Sequence, residues 1–249
     1  MGNNNQIFKG LNLRLTLRSF FAGEKCAACG ETDTKGLSVL CPGCIEKLNE
    51  KKRENCPRCR KTASECRCVR KNMTEAGIDS FFKLGFYRSD DTQCPLNTII
   101  YRLKRNKDGL LAEVIADELS PAVDGYLKKC GIQNAVLTYV PRSRKKVLAE
   151  GTDQAKLLAV KIADRLGLTC WGLLERRSDG RSSQKRLGVA ARDESVSGLF
   201  APVSSELIKG RTVLLVDDLI TTGATVSECA RTLKRAGAAG VICISIAEA

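Results

Sequence analysis

The stretch VLLVDDLITTGAT, residues 213–225, indicates how this 249-residue chain folds. Its apolar start, Val213–Val216, predicts a central strand that is covered on both faces. Asp217 and Asp218 follow at the carboxyl end of that strand, where open α/β sheets bind their ligands. Thr221–Thr225 then lead into a helix, and main-chain N–H groups at a helix N-terminus favour a phosphate. The stretch therefore predicts a phosphate site at the end of a parallel strand.

Strand-like and helix-like segments alternate on both sides of this stretch. Apolar runs predict strands over residues 81–87, 135–140, 212–216 and 241–246. Helical spacing predicts helices over residues 95–105, 109–129, 153–166 and 224–236, with Thr152 or Asp153 capping the third of them. Strand–helix–strand alternation is typical of an α/β protein with a doubly wound, mostly parallel sheet.

Eight of the 13 cysteines lie in four close pairs: Cys26 and Cys29, Cys41 and Cys44, Cys56 and Cys59, Cys66 and Cys68. Eight thiolates suffice for two tetrahedral Cys₄ sites, so the spacing predicts two structural Zn²⁺ ions. We expect sequential pairing, although an interleaved arrangement stays open, as do disulfides and iron–sulfur ligation. The predicted organisation is a lead-in over residues 1–25, a double zinc ribbon over 26–75 and the α/β domain over 76–249.

The chain carries 41 Lys and Arg residues against 28 Asp and Glu residues, a net charge of +13, and has no histidine. This excess favours a polyanionic partner, whether nucleic acid, anionic lipid or a diphosphate. The first 75 residues hold 15 basic and 8 acidic side chains. They could contact the phosphates of single-stranded DNA, although a solvated helix between the cysteine pairs explains the charge as well. No apolar run approaches the roughly 18 residues of a membrane span, and the paired cysteines favour a cytoplasmic location.

The run of four apolar residues, two acids and a Thr-Thr-Gly-x-Thr loop resembles the signature of type I phosphoribosyltransferases. The resemblance implies a phosphoribosyltransferase-type sheet that binds phosphoribosyl diphosphate (PRPP) together with Mg²⁺. The catalytic acids Asp217 and Asp218 would hold the ribose hydroxyls, or a Mg²⁺ ion bound to them. The loop residues would hold the 5′-phosphate: Thr221, Thr222, Gly223, Ala224 and Thr225. A helix N-terminus that follows a buried strand with incidental acids is the structural alternative.

Two further segments carry side chains suited to the diphosphate of PRPP. Arg142, Arg144 and Lys145 follow the strand predicted over 135–140, and basic side chains bind diphosphates, although a solvated basic turn is the alternative. Gln184 and Arg192 lie in the polar stretch 176–195, which predicts either a mobile lid or a surface loop. A general base is not obvious without histidine, so one of the two acids would have to serve unless the acceptor is intrinsically nucleophilic.

The combination of a cysteine-pair module with this domain resembles the ComF family of competence proteins from Cys26 onward. Further matching text includes Val140-Pro141 and Gln154-Ala155. The family resemblance implies a role in DNA uptake during natural transformation, with a helicase and other single-strand-handling proteins as partners. One departure is Glu150, which stands where the family has an arginine. We therefore expect a PRPP-binding accessory of single-stranded DNA uptake; an active phosphoribosyltransferase of nucleotide salvage or metabolism, with an unidentified acceptor, is the alternative.

Overall fold

A computed structural model of the chain describes residues 25–31, 39–89, 95–103, 109–143, 147–148, 153–177 and 198–249. Within these residues the strands, in chain order, are β1 (Ser80–Phe82), β2 (Gly85–Phe86), β3 (Ala135–Tyr139), β4 (Leu174–Arg176), β5 (Phe200–Pro202), β6 (Thr212–Val216), β7 (Leu219–Ile220), β8 (Gly240–Ile244) and β9 (Ala247–Glu248). The helices are α1 (Pro42–Arg53), α2 (Lys71–Glu75), α3 (Pro95–Leu103), α4 (Leu110–Lys129), α5 (Gln154–Leu166) and α6 (Ala224–Arg235).

Four parallel strands form the central sheet in the order β1–β8–β6–β3. Strand β6 lies between two neighbours and is buried throughout, as expected of a strand covered on both faces. Its side chains alternate between the faces. Leu214 and Val216 pack in the apolar cluster that contains α4 and α5, whereas Val213 and Leu215 pack in the cluster that contains α6. The predicted α/β fold with a parallel core sheet is therefore confirmed.

A second, short sheet continues three of these strands past a shared interruption. Strands β2, β9 and β7 pair in that order and follow β1, β8 and β6 along the chain. Hydrogen bonds join the interruptions, from Leu84 N to Ile246 O at 3.0 Å and from Ile246 N to Asp218 O at 3.2 Å. The strand predicted over 81–87 is therefore divided into β1 and β2, because the break at Asp217 and Asp218 is matched in the neighbouring strands. The strand predicted over 241–246 ends at Ile244, and β9 follows the break at Ala247.

The predicted helices are confirmed where the structure describes them, and local caps set their ends. Asp153 caps α5, since its Oδ1 accepts a hydrogen bond from Lys156 N at 3.2 Å, and Gly167 ends that helix with a φ of 65°. Helix α6 begins after Gly223. The alternative cap Thr152 lies outside the described residues. None of the described helices has the length and apolarity that crossing a membrane requires.

The predicted module over residues 26–75, which we call the cysteine module, packs on the α/β domain at two places. Cys26, Cys44 and Leu48 join the apolar cluster that contains α3 and α4. Met73 of α2 is fully buried in the cluster on the other face of the sheet, beside α6. The module thus contacts both faces of the domain, and the boundary between residues 75 and 76 stays a prediction.

Candidate functional site

Asp217 and Asp218 lie at the interruption between β6 and β7, at the carboxyl end of the central strand. Each carboxylate accepts a main-chain hydrogen bond. Asp217 Oδ1 accepts from Asp218 N at 2.9 Å, and Asp218 Oδ1 accepts from Leu219 N at 2.8 Å. Asp217 N donates to Ile244 O at 3.0 Å, which joins the pair to β8. These bonds hold both side chains in a defined arrangement.

Burial and a neighbouring positive charge shape the electrostatics of the acidic pair. Burial, and then the charge of Asp218, raise the pKa of Asp217 well above its ordinary value. Arg142 opposes this rise, and its Nη2 lies 3.7 Å from Asp218 Oδ2. Because Arg142 follows β3, the neighbour of β6, the sheet brings this basic side chain to the acids.

Residues 221–225, which we call the phosphate turn, comprise the turn before α6 and the first two residues of that helix. With Asp217 and Leu219 they line an open cleft. Gly223 has a φ of 83°, in the left-handed region that favours glycine. Thr222 Oγ1 accepts a hydrogen bond from Ala224 N at 3.3 Å. The first residues of α6 line the cleft, so the positive end of the dipole of this 12-residue helix faces it. Such a helix N-terminus attracts an anionic group, a phosphate above all.

Asp153, which the sequence predicts only as a helix cap, also contacts the segment that carries Arg142. Its carboxylate accepts main-chain hydrogen bonds from both Lys156 and Arg142. Burial raises the pKa of Asp153, and these donors, with the charge of Arg142, act against the rise. Asp153 therefore ties the segment after β3, which carries Arg142, to the start of α5.

Several predicted contact residues lie outside the described part of the chain: Arg144, Lys145, Gln184 and Arg192, together with Glu150. The structure does describe the residues on either side of the stretch 178–197. Arg177 N donates to Leu199 O at 2.9 Å beside the antiparallel pair β4 and β5. Gly198 N donates to Glu228 Oε1 at 2.8 Å. Glu228, a buried acid of α6 that no sequence motif singled out, thus binds the residue that follows this stretch.

The paired cysteines form two groups, one of Cys26, Cys29, Cys41 and Cys44 and one of Cys56, Cys59, Cys66 and Cys68. Within each group the sulfur atoms lie within 4.8 Å of one another. The groups are sequential, as the spacing predicted. Tetrahedral Zn–S bonds of about 2.3 Å would place two sulfur atoms about 3.8 Å apart, and Cys29 Sγ lies 3.7 Å from Cys41 Sγ. Both groups could therefore hold a metal ion of this size.

Hydrogen bonds from main-chain N–H groups stabilise the thiolate form of one cysteine in each group. Burial opposes ionisation of Cys26, but hydrogen bonds from neighbouring N–H groups outweigh it and lower its pKa to about 7. The same balance lowers the pKa of Cys56 to about 6. Burial and the adjacent thiols raise the pKa of Cys68 to about 12. A bound cation would offset the repulsion between neighbouring thiolates and so favour the thiolate, which is the metal-binding form.

Comparison with known proteins finds a family model that matches the C-terminal part of the chain and relatives that match most of it. Residues 153–249 match the family model of the phosphoribosyl transferase domain. Competence protein ComFC of Streptococcus pneumoniae is 27% identical over 239 residues, which cover 89% of this chain and 99% of that protein. Competence protein F of Haemophilus influenzae is 24% identical, over 87% of this chain and 93% of that protein. DNA utilization protein YhgH of Salmonella typhimurium is 29% identical, over 59% of this chain and 64% of that protein.

Proposed function

We propose that this chain, a relative of the ComFC and ComF competence proteins with a phosphoribosyl transferase domain at residues 153–249, binds PRPP with Mg²⁺. One observation carries the proposal: Asp217 and the turn 221–225 line one cleft, with Asp218 beside them, at the end of the central strand. Carboxylates accept hydrogen bonds from ribose hydroxyls, and a helix N-terminus attracts a phosphate. A phosphoribosyl group presents both of these chemical groups.

Different residues of the chain would bind the phosphate, the ribose and the diphosphate of this ligand. The N–H groups and hydroxyls of the turn hold the 5′-phosphate at the positive end of α6. Asp217 and Asp218 accept the ribose hydroxyls, and Arg142 approaches the diphosphate. The further proposed diphosphate contacts are Arg144, Lys145, Gln184 and Arg192. Mg²⁺, when bound, supplies positive charge for the diphosphate oxygens and retains several water ligands.

Isothermal titration calorimetry with PRPP tests this proposal. The wild-type chain should bind PRPP when Mg²⁺ is present, and the double variant Asp217→Asn with Asp218→Asn should lose that binding. Asp164→Asn removes an exposed carboxylate of α5 and should bind as the wild type does. A wild-type chain without measurable affinity for PRPP would overturn the proposal.

We further propose that both cysteine groups bind Zn²⁺ as structural ions. Four thiolates close the coordination tetrahedron, and a closed site is typical of structural zinc. Elemental analysis should find two zinc ions in each wild-type chain and one after either Cys29→Ser or Cys68→Ser. Iron in place of zinc, or the same zinc content in all three proteins, would contradict this assignment.

For the biological role, we propose that the chain assists uptake of single-stranded DNA during natural transformation. It would act in the cytoplasm with a DNA-uptake helicase and other competence proteins. The names of the two competence relatives support this role. Exposed basic side chains on the cysteine module, among them Lys47, Arg53 and Lys61, also support it. Contacts between such side chains and DNA phosphates make binding sensitive to salt.

Fluorescence anisotropy with a labelled single-stranded oligonucleotide tests the contribution of the module. The triple variant Lys47→Glu, Arg53→Glu and Lys61→Glu should bind more weakly, with a shallower dependence of affinity on salt. A second triple variant changes the charge equally at exposed positions of α4 and α6: Lys128→Glu, Lys129→Glu and Arg235→Glu. If both triple variants lose the same affinity, the loss follows net charge and the module has no particular role.

The second candidate function is transfer of the phosphoribosyl group to an unidentified acceptor in nucleotide salvage or metabolism. The match of residues 153–249 to the phosphoribosyl transferase family model favours it, and Asp217, which lines the cleft, would be its general base. Diphosphate release from PRPP, measured with a panel of nucleobases, tests this activity. Release that depends on one base and is lost with Asp217→Asn would support transfer, and absence of release with every base would leave binding alone.

A further inference from the structure

The segment that leaves the second cysteine group lies against the phosphate turn. Arg70 Nη1 donates a hydrogen bond to the main-chain carbonyl of Thr221. Asn72 Nδ2 donates to the carbonyl of Thr222 at 3.0 Å. Met73 fills the space beside Gly223, where an added Cβ would lie 2.9 Å from the Met73 sulfur. We call residues 70–73 the connector.

These contacts determine where the N–H groups of the turn point. In a trans peptide the carbonyl and the N–H of the following residue point in opposite directions, and the described residues contain no cis peptide bond. Arg70 and Asn72 bind the carbonyls of Thr221 and Thr222. The N–H groups of Thr222 and Gly223 therefore point away from the connector. These are two of the donors that a phosphate at the start of α6 would use.

Glu248 of β9 holds the connector in place. This buried carboxylate accepts hydrogen bonds from Arg70 Nε at 2.7 Å and from Arg58 Nη2 at 2.8 Å. Lys83 Nζ lies 3.2 Å from the same carboxylate and donates to Cys66 Sγ at 3.5 Å. Burial opposes ionisation of Glu248, but the three cations lower its pKa below the ordinary value. Lys83 and Glu248 are the buried charges of this cluster, and removing either one would be costly because the other would lose its partner inside the protein.

The two cysteine groups differ in how they join the domain. Arg58 lies within the second group, and Arg67 of the same group holds its guanidinium carbon 4.0 Å from the centre of the Phe82 ring. The second group is thus joined to β1, β9 and, through the connector, to the phosphate turn. The first group packs instead through Cys26 and Cys44 in the cluster that contains α3 and α4.

We propose that Arg70 and Asn72 are positioning residues for the phosphate turn, and that through them PRPP binding depends on the metal in the second cysteine group but not on that in the first. This inference rests on the proposed binding of PRPP. Loss of the second ion would release the residues around Arg58 and Arg67 and, with them, the connector. The N–H groups of Thr222 and Gly223 would then have to be ordered when the ligand binds, which lowers affinity.

Variants of the connector test the first part of the inference. Arg70→Lys keeps a charge for Glu248 but loses the forked donor group, and Asn72→Ala removes the donor to Thr222. Each should weaken PRPP binding about tenfold, as expected for the loss of one hydrogen bond. Hydrogen exchange at the amides of residues 221–225 should become faster, while zinc content and far-UV circular dichroism stay unchanged. Lys71→Ala is the matched control, because this exposed side chain lies between the two and pairs only weakly with Glu75 at 3.9 Å.

Variants of the cysteine groups test the second part. Cys68→Ser and Cys29→Ser should each lose one zinc ion. Only Cys68→Ser should lose affinity for PRPP and show faster hydrogen exchange in the phosphate turn. Equal effects of the two variants on PRPP affinity would overturn the proposed link to the second group.

The outcomes separate this inference from the function on which it rests. If the wild type does not bind PRPP, the proposed function fails and the inference fails with it. If the wild type binds PRPP and the connector variants bind equally well, the inference alone is wrong. If Lys71→Ala weakens binding as much as Arg70→Lys and Asn72→Ala do, the effect does not depend on the hydrogen bonds of Arg70 and Asn72 to the turn, which also overturns the inference.

Discussion

The Nε atom of Arg70 lies 2.7 Å from a carboxylate oxygen of Glu248, although 178 residues separate the two along the chain. This pair joins the end of the cysteine module to the short sheet beyond the acidic pair. Lys83 lies against the same carboxylate, and its side chain is fully buried. The carboxylate therefore balances the charge of an ammonium that water cannot reach, so loss of the carboxylate should destabilise the fold.

We expect Glu248→Gln to lower the free energy of unfolding by about 3 kcal/mol, because it removes the carboxylate that lies 3.2 Å from the buried ammonium of Lys83. Urea unfolding followed by circular dichroism measures the change. Glu75→Gln is the control: it removes an exposed carboxylate that pairs with Lys71 at 3.9 Å, and it should change stability by less than about 0.5 kcal/mol. Equal stabilities of the two variants would contradict the importance of the cluster.

The contribution of Glu248 should also depend on pH. Its pKa is lowered in the folded state, so its stabilising effect is present above the ordinary value of 4.5 and is lost as the pH falls through the lowered value. The difference in free energy of unfolding between wild type and Glu248→Gln should therefore shrink between pH 7 and pH 3. A difference that stays constant over this range would show that the side chain acts through packing and not through its charge.

The contribution of Asp217 to stability should depend on pH in the opposite direction. Its pKa is raised in the folded state, so the wild type loses stability as the pH rises above 3.8 through the raised value. Asp217→Asn has no charge to bury and should be the more stable protein at pH 7 to 8, with a margin that narrows on acidification. Each kcal/mol gained would raise Tm by roughly 2–4 °C in a protein of this size. A variant that is less stable than the wild type at pH 8 would contradict the raised pKa.

Gly223→Ala should damage both the fold and the site. At a φ of 83° an alanine costs about 1–2 kcal/mol, and its Cβ would collide with Met73. We expect a fall of about 2 kcal/mol in the free energy of unfolding and weaker binding of PRPP. Gly125→Ala is the matched control, because this exposed glycine lies within α4 with open space around it, and the change should stabilise by about 0.5–1 kcal/mol. Similar effects of the two changes would refute the requirement for glycine at the turn.

Features carried by contiguous residues were predictable from the sequence. The strand β6, its acidic end and the turn into α6 follow one another along the chain, so their apolar run and turn residues indicate them directly. Cysteine spacing likewise predicted two sequential groups. The prediction of one continuous strand over 81–87 was wrong, because β1 and β2 pair in two different sheets with an interruption between them. The burial of Lys83 could not be predicted from the sequence either, because no neighbouring residue distinguishes this lysine from an exposed one.

The sequence by itself therefore determined the α/β core, the acidic pair, the phosphate turn and the two cysteine groups. Each of these depends on periodicity or spacing within a short stretch of chain. Only the tertiary structure decided that Arg142 meets Asp218, that Arg70 and Asn72 hold the turn, and that Glu248 gathers three cations. The physical reason is that these contacts join segments far apart in the chain, and their partners are set by the order and register of the parallel strands and by the burial of the charges between them.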